Sequence, residues 1–225
     1  MTCNEFLDIY WAHYISIEKD FRETMRYVTV NLENYKTFSI IYAKLILAIG
    51  SEVDIIAQIY CKMLDDSFIG VHINDYKRCI CDKEPGFCTQ HIEVLSTDII
   101  LDPWETWISD ANPSNPIWWT AYNKVKHNRT KIGSIGDETR EYYKFANQKN
   151  TLDALAGLYQ LLMHIFLRLC ESEKSRKRPT PLPGSRVFSI VGDMWTDTTI
   201  YNSDFAIWLE QETMTLHIEY GRLPY

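Results

Sequence analysis

A chain of 225 residues with 46% hydrophobic and 24% charged residues is long enough for one folded domain with a small appendage. Its formal net charge of −7 excludes a protein that binds nucleic acid through general positive charge, but it is compatible with a local basic surface. The longest apolar stretch, 38–60, is interrupted by Lys44, Glu52 and Asp54, so we predict no membrane span. Because no signal peptide is visible either, we expect a cytoplasmic protein.

Four segments show the three- and four-residue spacing of apolar side chains that predicts helices. They are 5–21, 35–65, 117–129, and a last helix that begins near 138 or 150 and ends near 173. Asn115 is placed to cap the third of these helices, with Pro116 in its first position.

The segment 35–65 is apolar on nearly every side, which predicts the central helix of a bundle. Gly50 lies within it and indicates either a bend or a close helix crossing. Residues 70–82 fit a short helix or a turn, and 92–101 fit a short strand or an irregular segment.

Beyond the last helix the pattern changes. Residues 174–184 carry a basic run followed by three prolines and a glycine, which predicts a linker. Within 185–225, apolar and polar residues alternate around Phe205–Leu209 and Met214–Tyr220, which is typical of half-buried strands. We therefore predict a mainly α protein, with a helical bundle over 1–173, a linker, and a small β-hairpin or meander packed on the bundle.

A dense polar cluster lies on the helix predicted over 117–129. Asn123 and His127 are four residues apart and share one face of that helix. The adjoining row, at steps of four and three, is Tyr122, Lys126 and Arg129, with Lys124 close by. An imidazole, an amide, a phenol and three cations on one narrow surface suit a phosphate group, and RNA in particular.

The segment Tyr-Asn-Lys-Val-Lys-His from Tyr122 to His127, with Arg129 following, resembles the motif of the HEPN (higher eukaryotes and prokaryotes nucleotide-binding) superfamily. In that family an Arg is followed by His after four to six residues, and the compact form is Arg-Asn-x-x-x-His. Here Asn123 and the His match, and Tyr122 stands in place of the Arg. The resemblance covers about residues 35–173. It implies an α-helical bundle, often dimeric, and in many members a metal-independent endoribonuclease of bacterial stress or defence systems.

The resemblance also implies roles for individual residues. His127 is the acid/base group, Asn123 and Tyr122 position it, and the phosphate-binding cations are Lys124, Lys126 and Arg129. Since tyrosine carries no positive charge at pH 7, the charge that the family's Arg supplies must come from these cations or from a second protomer.

We therefore expect a HEPN-like homodimer that binds RNA or a nucleotide phosphate without a cofactor, with endoribonuclease activity left open. The alternative is a catalytically inactive HEPN-like module for protein interaction. Ribonuclease assays with and without His127→Ala separate the two.

Glu52 lies within the apolar segment 35–65 and needs a partner, because a buried carboxylate requires a cation or hydrogen-bond donors. One interpretation pairs Glu52 with His127, Lys126 or Arg129, so that it orients the site. The other places it in a structural ion pair.

Cys79, Cys81, Cys88 and His91 carry ligand types that zinc prefers. The Cys-x-Cys spacing is shorter than is usual for zinc sites, so thiols without a metal are the alternative. We predict no metal centre.

Overall fold

A computed structural model describes residues 1–108, 115–173 and 181–191 with their side chains, together with the backbone of three later strands. The fold is mainly α-helical with small antiparallel sheets, as the sequence predicts. The helices are α1 (Cys3–Phe6), α2 (Ala12–Met25), α3 (Ile40–Leu64), α4 (Ile73–Lys83), α5 (Ile117–Asn128) and α6 (Gln148–Glu173). The strands are β1 (Ile92–Val94), β2 (Ile100–Leu101), β3 (Ile132–Ile135), β4 (Glu138–Glu141), β5 (Phe188–Ile190), β6 (Thr199–Tyr201), β7 (Phe205–Glu210) and β8 (Thr215–Tyr220).

α6 is the central helix of the fold. All side chains from 151 to 166 are buried, and α6 contacts α1, α3, α5 and β5. Small residues permit this close packing: a Cβ on Gly157 would lie 3.1 Å from the ring of Trp118. The prediction that 35–65 forms the central helix is therefore wrong, because α3 has an outer face on which Ile41 and Ile55 are each 47% exposed.

α6 also has the length and composition of a membrane span, alone among the helices in the described part of the chain. Its most apolar 18-residue window is 89% buried inside the protein. A core helix that is surrounded by other helices needs the same apolar composition on every side.

The residue that caps the start of α5 is Pro116, one position later than the predicted cap, Asn115. Pro116 has extended backbone (φ −48°, ψ 141°) and is itself the residue before the first helical turn. Its carbonyl oxygen accepts a hydrogen bond from the backbone N–H of Thr120 at 3.0 Å. Asn115 does not cap the helix, since its buried Oδ1 has no hydrogen-bond partner among the described residues.

Gly50 brings α3 and α5 into close contact. A Cβ at this position would lie 2.4 Å from Cδ2 of Tyr122, closer than two carbon atoms can approach. Of the two roles open to this glycine, the structure shows the close helix crossing. On its other side α5 is held by Trp118, whose Nε1 donates to the carbonyl oxygen of Pro103 at 2.8 Å.

Three small antiparallel sheets complete the described structure. β1 lies between β2 and β5, with Ile92 opposite Ile190. β3 and β4 form a hairpin, and Gly136 turns it with φ at +57°. β6, β7 and β8 form the meander that the alternating pattern predicted.

The predicted linker, 174–184, is described only from residue 181 onward, so its basic run lies outside the described residues, as does Met214. Leu182 is buried, and the carbonyl oxygen of Pro183 accepts a hydrogen bond from Nε1 of Trp11 at 2.8 Å. The end of the predicted linker therefore packs on the amino-terminal helical segment. β5, which begins the predicted 185–225 appendage, pairs directly with β1.

Candidate functional site

The carboxyl-terminal end of α5 presents cations around an exposed imidazole. The buried side of this helix is formed by Trp118, Trp119, Ala121, Tyr122 and Val125. That orientation leaves Lys126, His127 and Arg129 exposed and Asn123 and Lys124 half-buried. We call Lys124, Lys126, His127 and Arg129 the basic end of α5.

Tyr122 and Lys126 are in direct contact. The Lys126 ammonium donates a hydrogen bond to the Tyr122 hydroxyl at 3.0 Å and lies 5.3 Å from the centre of its ring. The hydrogen bond from Lys126 to Tyr122 raises the pKa of Lys126, and the charge of Asp54 on α3 acts in the same direction. Lys126 is therefore a fixed positive charge at neutral pH.

Lys124 lies on the opposite flank of the helix. It lies two positions before Lys126, which corresponds to about 200° around an α-helix. Its ammonium lies 5.4 Å from the centre of the Tyr142 ring. The cations therefore lie on both sides of His127 rather than in a single row.

Asn123 and Arg129 both bond to the backbone of their own helix. Asn123 Nδ2 donates to the carbonyl oxygen of Trp119 at 3.1 Å, and Arg129 Nε donates to that of Val125 at 3.3 Å. This bond fixes the amide of Asn123, and His127 lies one turn further along the same face of the helix. The Arg129 guanidinium closes the carboxyl end of the helix.

Glu52 is not part of this site, and the predicted pairing with His127, Lys126 or Arg129 is absent. Its Oε2 lies 3.8 Å from Nε2 of His13 on α2. Burial raises the pKa of Glu52, and the nearby His13 opposes that effect. Gly50 and Asp54 are four residues apart and share the side of α3 near α5, so Glu52, midway between them, faces away from α5.

None of the described carboxylates forms an ion pair with a lysine or arginine of the basic end, although the charge of Asp54 acts on Lys126. Among the ion pairs of the described residues, all within 4.0 Å, none includes Lys124, Lys126 or Arg129. Some other surface cations are paired at 2.7 to 3.0 Å, such as Lys36 with Glu138, Lys144 with Glu141, and Arg26 with Glu23. In a protein of net charge −7, three cations grouped at one helix end favour an external anion.

A second polar cluster, which the sequence analysis missed, converges on Glu84. The Glu84 carboxylate accepts hydrogen bonds from the Tyr60 hydroxyl and from Arg168, whose Nε lies 2.8 Å from Oε1. His164 Nδ1 lies 3.0 Å from Glu84 Oε2, and its Nε2 lies 2.7 Å from Oε1 of Gln90. We call these five residues the Glu84 hub; it joins α3, the end of α4, and α6.

The Glu84 hub is built as a structural connection. Burial alone would raise the pKa of Glu84, but hydrogen bonds from His164, Tyr60 and Arg168 together lower it to about 2. Both ring nitrogens of His164 have protein partners. The hub groups therefore satisfy one another, as buried polar groups must. The four-residue spacing of His164 and Arg168 on an apolar helix is the one sequence signal that could have indicated part of this cluster.

The four residues considered for zinc do not converge. Cys79 Sγ lies 3.8 Å from the carbonyl oxygen of Cys61, whereas Cys81 Sγ lies 3.1 Å from Sγ of Cys88. Two residues apart on α4, Cys79 and Cys81 point in opposite directions. His91 bonds to Asp102 instead. The described residues contain no group of three or more His, Cys, Asp or Glu side chains arranged to hold a metal.

Comparisons with protein-family models, with curated proteins and with solved structures find no match to this chain. The chemistry of its own residues therefore carries the functional argument. That chemistry consists of a cationic helix end, which has no ion pair among the described residues, and a separate, internally satisfied buried hub.

Proposed function

We propose that this is a HEPN-like protein whose basic end of α5 binds the phosphate groups of RNA or of a nucleotide. The observation that carries the proposal is the grouping of Lys124, Lys126 and Arg129 at one helix end, where none of them has an ion pair among the described residues. Polyanions bind such groups by releasing their own counterions, so local charge matters more than net charge.

The placement of the two lysines favours a chain of phosphates. Lys124 and Lys126 lie on opposite flanks of the helix, each with its ammonium near a tyrosine ring. Ring contacts restrict the lysine side chains before a ligand binds, which reduces the entropy lost on binding. A nucleic-acid strand that crosses the end of α5 would meet a cation on each side of His127.

We extend the proposal to metal-independent RNA cleavage with His127 as the proton-transfer residue. Its ring is exposed, one helical turn from the fixed amide of Asn123. Cleavage requires a base at the 2′-hydroxyl and an acid at the leaving oxygen. α5 carries one imidazole, so two copies of the chain would supply both groups. This requirement connects activity to the proposed homodimer.

Binding is tested by fluorescence anisotropy with a labelled single-stranded RNA over a series of salt concentrations. If three phosphates are contacted, the logarithm of the affinity falls with the logarithm of salt with a slope of about −2. The triple variant Lys124→Gln, Lys126→Gln and Arg129→Gln is expected to lose most of that slope. The matched control Arg26→Gln removes a paired cation that directly follows α2 and is expected to retain the slope. An identical slope in the triple variant and the wild type would refute the site.

Competition with ATP in the same assay separates nucleotide binding from RNA binding. Cleavage is tested with mixed RNA in the presence of EDTA. Degradation that His127→Ala abolishes without weakening RNA binding supports the ribonuclease. If the wild type neither cleaves nor binds RNA in a salt-dependent manner, the protein-interaction module is the better interpretation.

A further inference from the structure

The cysteines of this chain lie in three adjacent couples. Cys3 and Cys170 have their Sγ atoms 3.8 Å apart in the core, Cys79 contacts the backbone of Cys61, and the Sγ atoms of Cys81 and Cys88 are 3.1 Å apart. The third couple is the closest. It also differs from the others in its surroundings, because both of its residues line a cavity.

That cavity has a volume of about 700 Å³ and opens beside the last turn of α4. Its lining includes Lys77, Arg78 and Asp82. Lys83 lies 3.5 Å from Asp82 and offsets its charge. The cavity therefore combines a pair of thiols with a wall that carries two cations and one acid.

We propose that Cys81 and Cys88 form a redox-active dithiol that exchanges with a small acidic disulfide, of the glutathione class, bound in this cavity. The two sulfurs are about 1 Å beyond the length of a disulfide bond, so a small rotation brings them together. The lining cations match the carboxylates of such a ligand, and the volume accommodates a tripeptide. The inference is independent of phosphate binding at α5.

The exchange proceeds in two balanced steps. The Cys81 thiolate attacks one sulfur of the small disulfide, a mixed disulfide forms, and the other half leaves as a thiolate that takes up a proton. Cys88 then loses its proton and attacks the Cys81 sulfur, which releases the second small thiol. The sum is one dithiol and one disulfide converted to a protein disulfide and two thiols.

The geometry assigns the order of attack. Cys81 is half-buried and reaches the cavity, whereas Cys88 is only 4% exposed. The hydrogen bond with Cys81, and then burial, raise the pKa of Cys88, so Cys88 stays protonated while Cys81 reacts.

The first test traps the mixed disulfide. The reduced full chain is incubated with glutathione disulfide, the remaining thiols are alkylated, and the peptides are mapped by mass spectrometry. The wild type is expected to yield the Cys81–Cys88 disulfide, and Cys88→Ser to accumulate a glutathionyl group on Cys81. Cys81→Ser is expected to accumulate about tenfold less adduct on Cys88, because that thiol is buried and protonated. Cys170→Ser is the matched control and should react at Cys81 and Cys88 like the wild type.

The second test concerns the cationic wall and does not alter the thiols. The double variant Lys77→Gln and Arg78→Gln should react with glutathione disulfide about threefold more slowly, while its rate with neutral hydroxyethyl disulfide stays unchanged. Circular dichroism of each variant establishes that it is folded. Absence of a Cys81 adduct in folded Cys88→Ser, or a Cys3–Cys170 disulfide that forms as fast as the Cys81–Cys88 disulfide, would overturn the dithiol. Equal slowing with both small disulfides would overturn the acidic ligand.

Discussion

Replacing Glu84 with glutamine keeps the shape of the side chain and removes the charge on which the Glu84 hub converges. Arg168 and His164 would then lie beside a neutral amide in a largely buried position, where the Glu84 side chain is 19% exposed. The pKa of Glu84 falls from 4.5 to about 2 on folding, which corresponds to about 3 kcal/mol of stability at neutral pH. Urea denaturation at pH 7 should therefore show Glu84→Gln less stable by about 2–3 kcal/mol with an unchanged m-value.

The pH dependence provides the sharper measurement. Because the folded pKa of Glu84 lies below the unfolded value, its contribution is complete above about pH 5.5 and is lost as the pH falls from 4.5 towards 2. The difference in unfolding free energy between wild type and Glu84→Gln should shrink across that window. Glu23→Gln, which removes an exposed ion pair with Arg26, should change little at any pH. A Glu84→Gln difference that stays constant from pH 6 to pH 3 would refute this account of the hub.

Three further predictions follow from other contacts. Gly50→Ala should destabilise the protein by about 1–3 kcal/mol in equilibrium denaturation, because the added methyl group overlaps the Tyr122 ring. The control Gly86→Ala, where open space surrounds the added methyl group, should change stability by less than about 0.5 kcal/mol. Equal effects of the two substitutions would argue against the close helix crossing. Oxidation of the Cys81–Cys88 couple, seven residues apart, should raise the unfolding free energy by about 2.5 kcal/mol, and a lower denaturation midpoint in the oxidised protein would show that the bond strains the fold. Lys126→Gln alone should reduce the RNA salt slope by about 0.7, and an unchanged slope would remove that residue from the site.

The contacts around α5 show how far sequence reasoning reached. Helical spacing correctly predicted that Tyr122 and Lys126 would meet, because that contact lies within one helix. It could not choose between a site role and a structural ion pair for Glu52, because the partner of Glu52 depends on which side of α3 faces α5 and which faces α2; the structure places Glu52 beside His13. The Glu84 hub was missed for the same reason, since His164 and Arg168 lie 80 or more residues from Glu84 in the sequence.

The sequence by itself determined the helices, the meander near the carboxyl terminus and the dense cations of α5, because each is recorded in the spacing of neighbouring residues. Only the tertiary structure decided that α6 is the central helix, that Glu52 on α3 lies beside His13, and that Cys81 and Cys88 meet beside a cavity. These outcomes depend on how helices rotate and pack against one another. For example, the close approach of Gly50 to the Tyr122 ring fixes how α3 packs against α5, and the spacing of residues within either helix does not predict that contact.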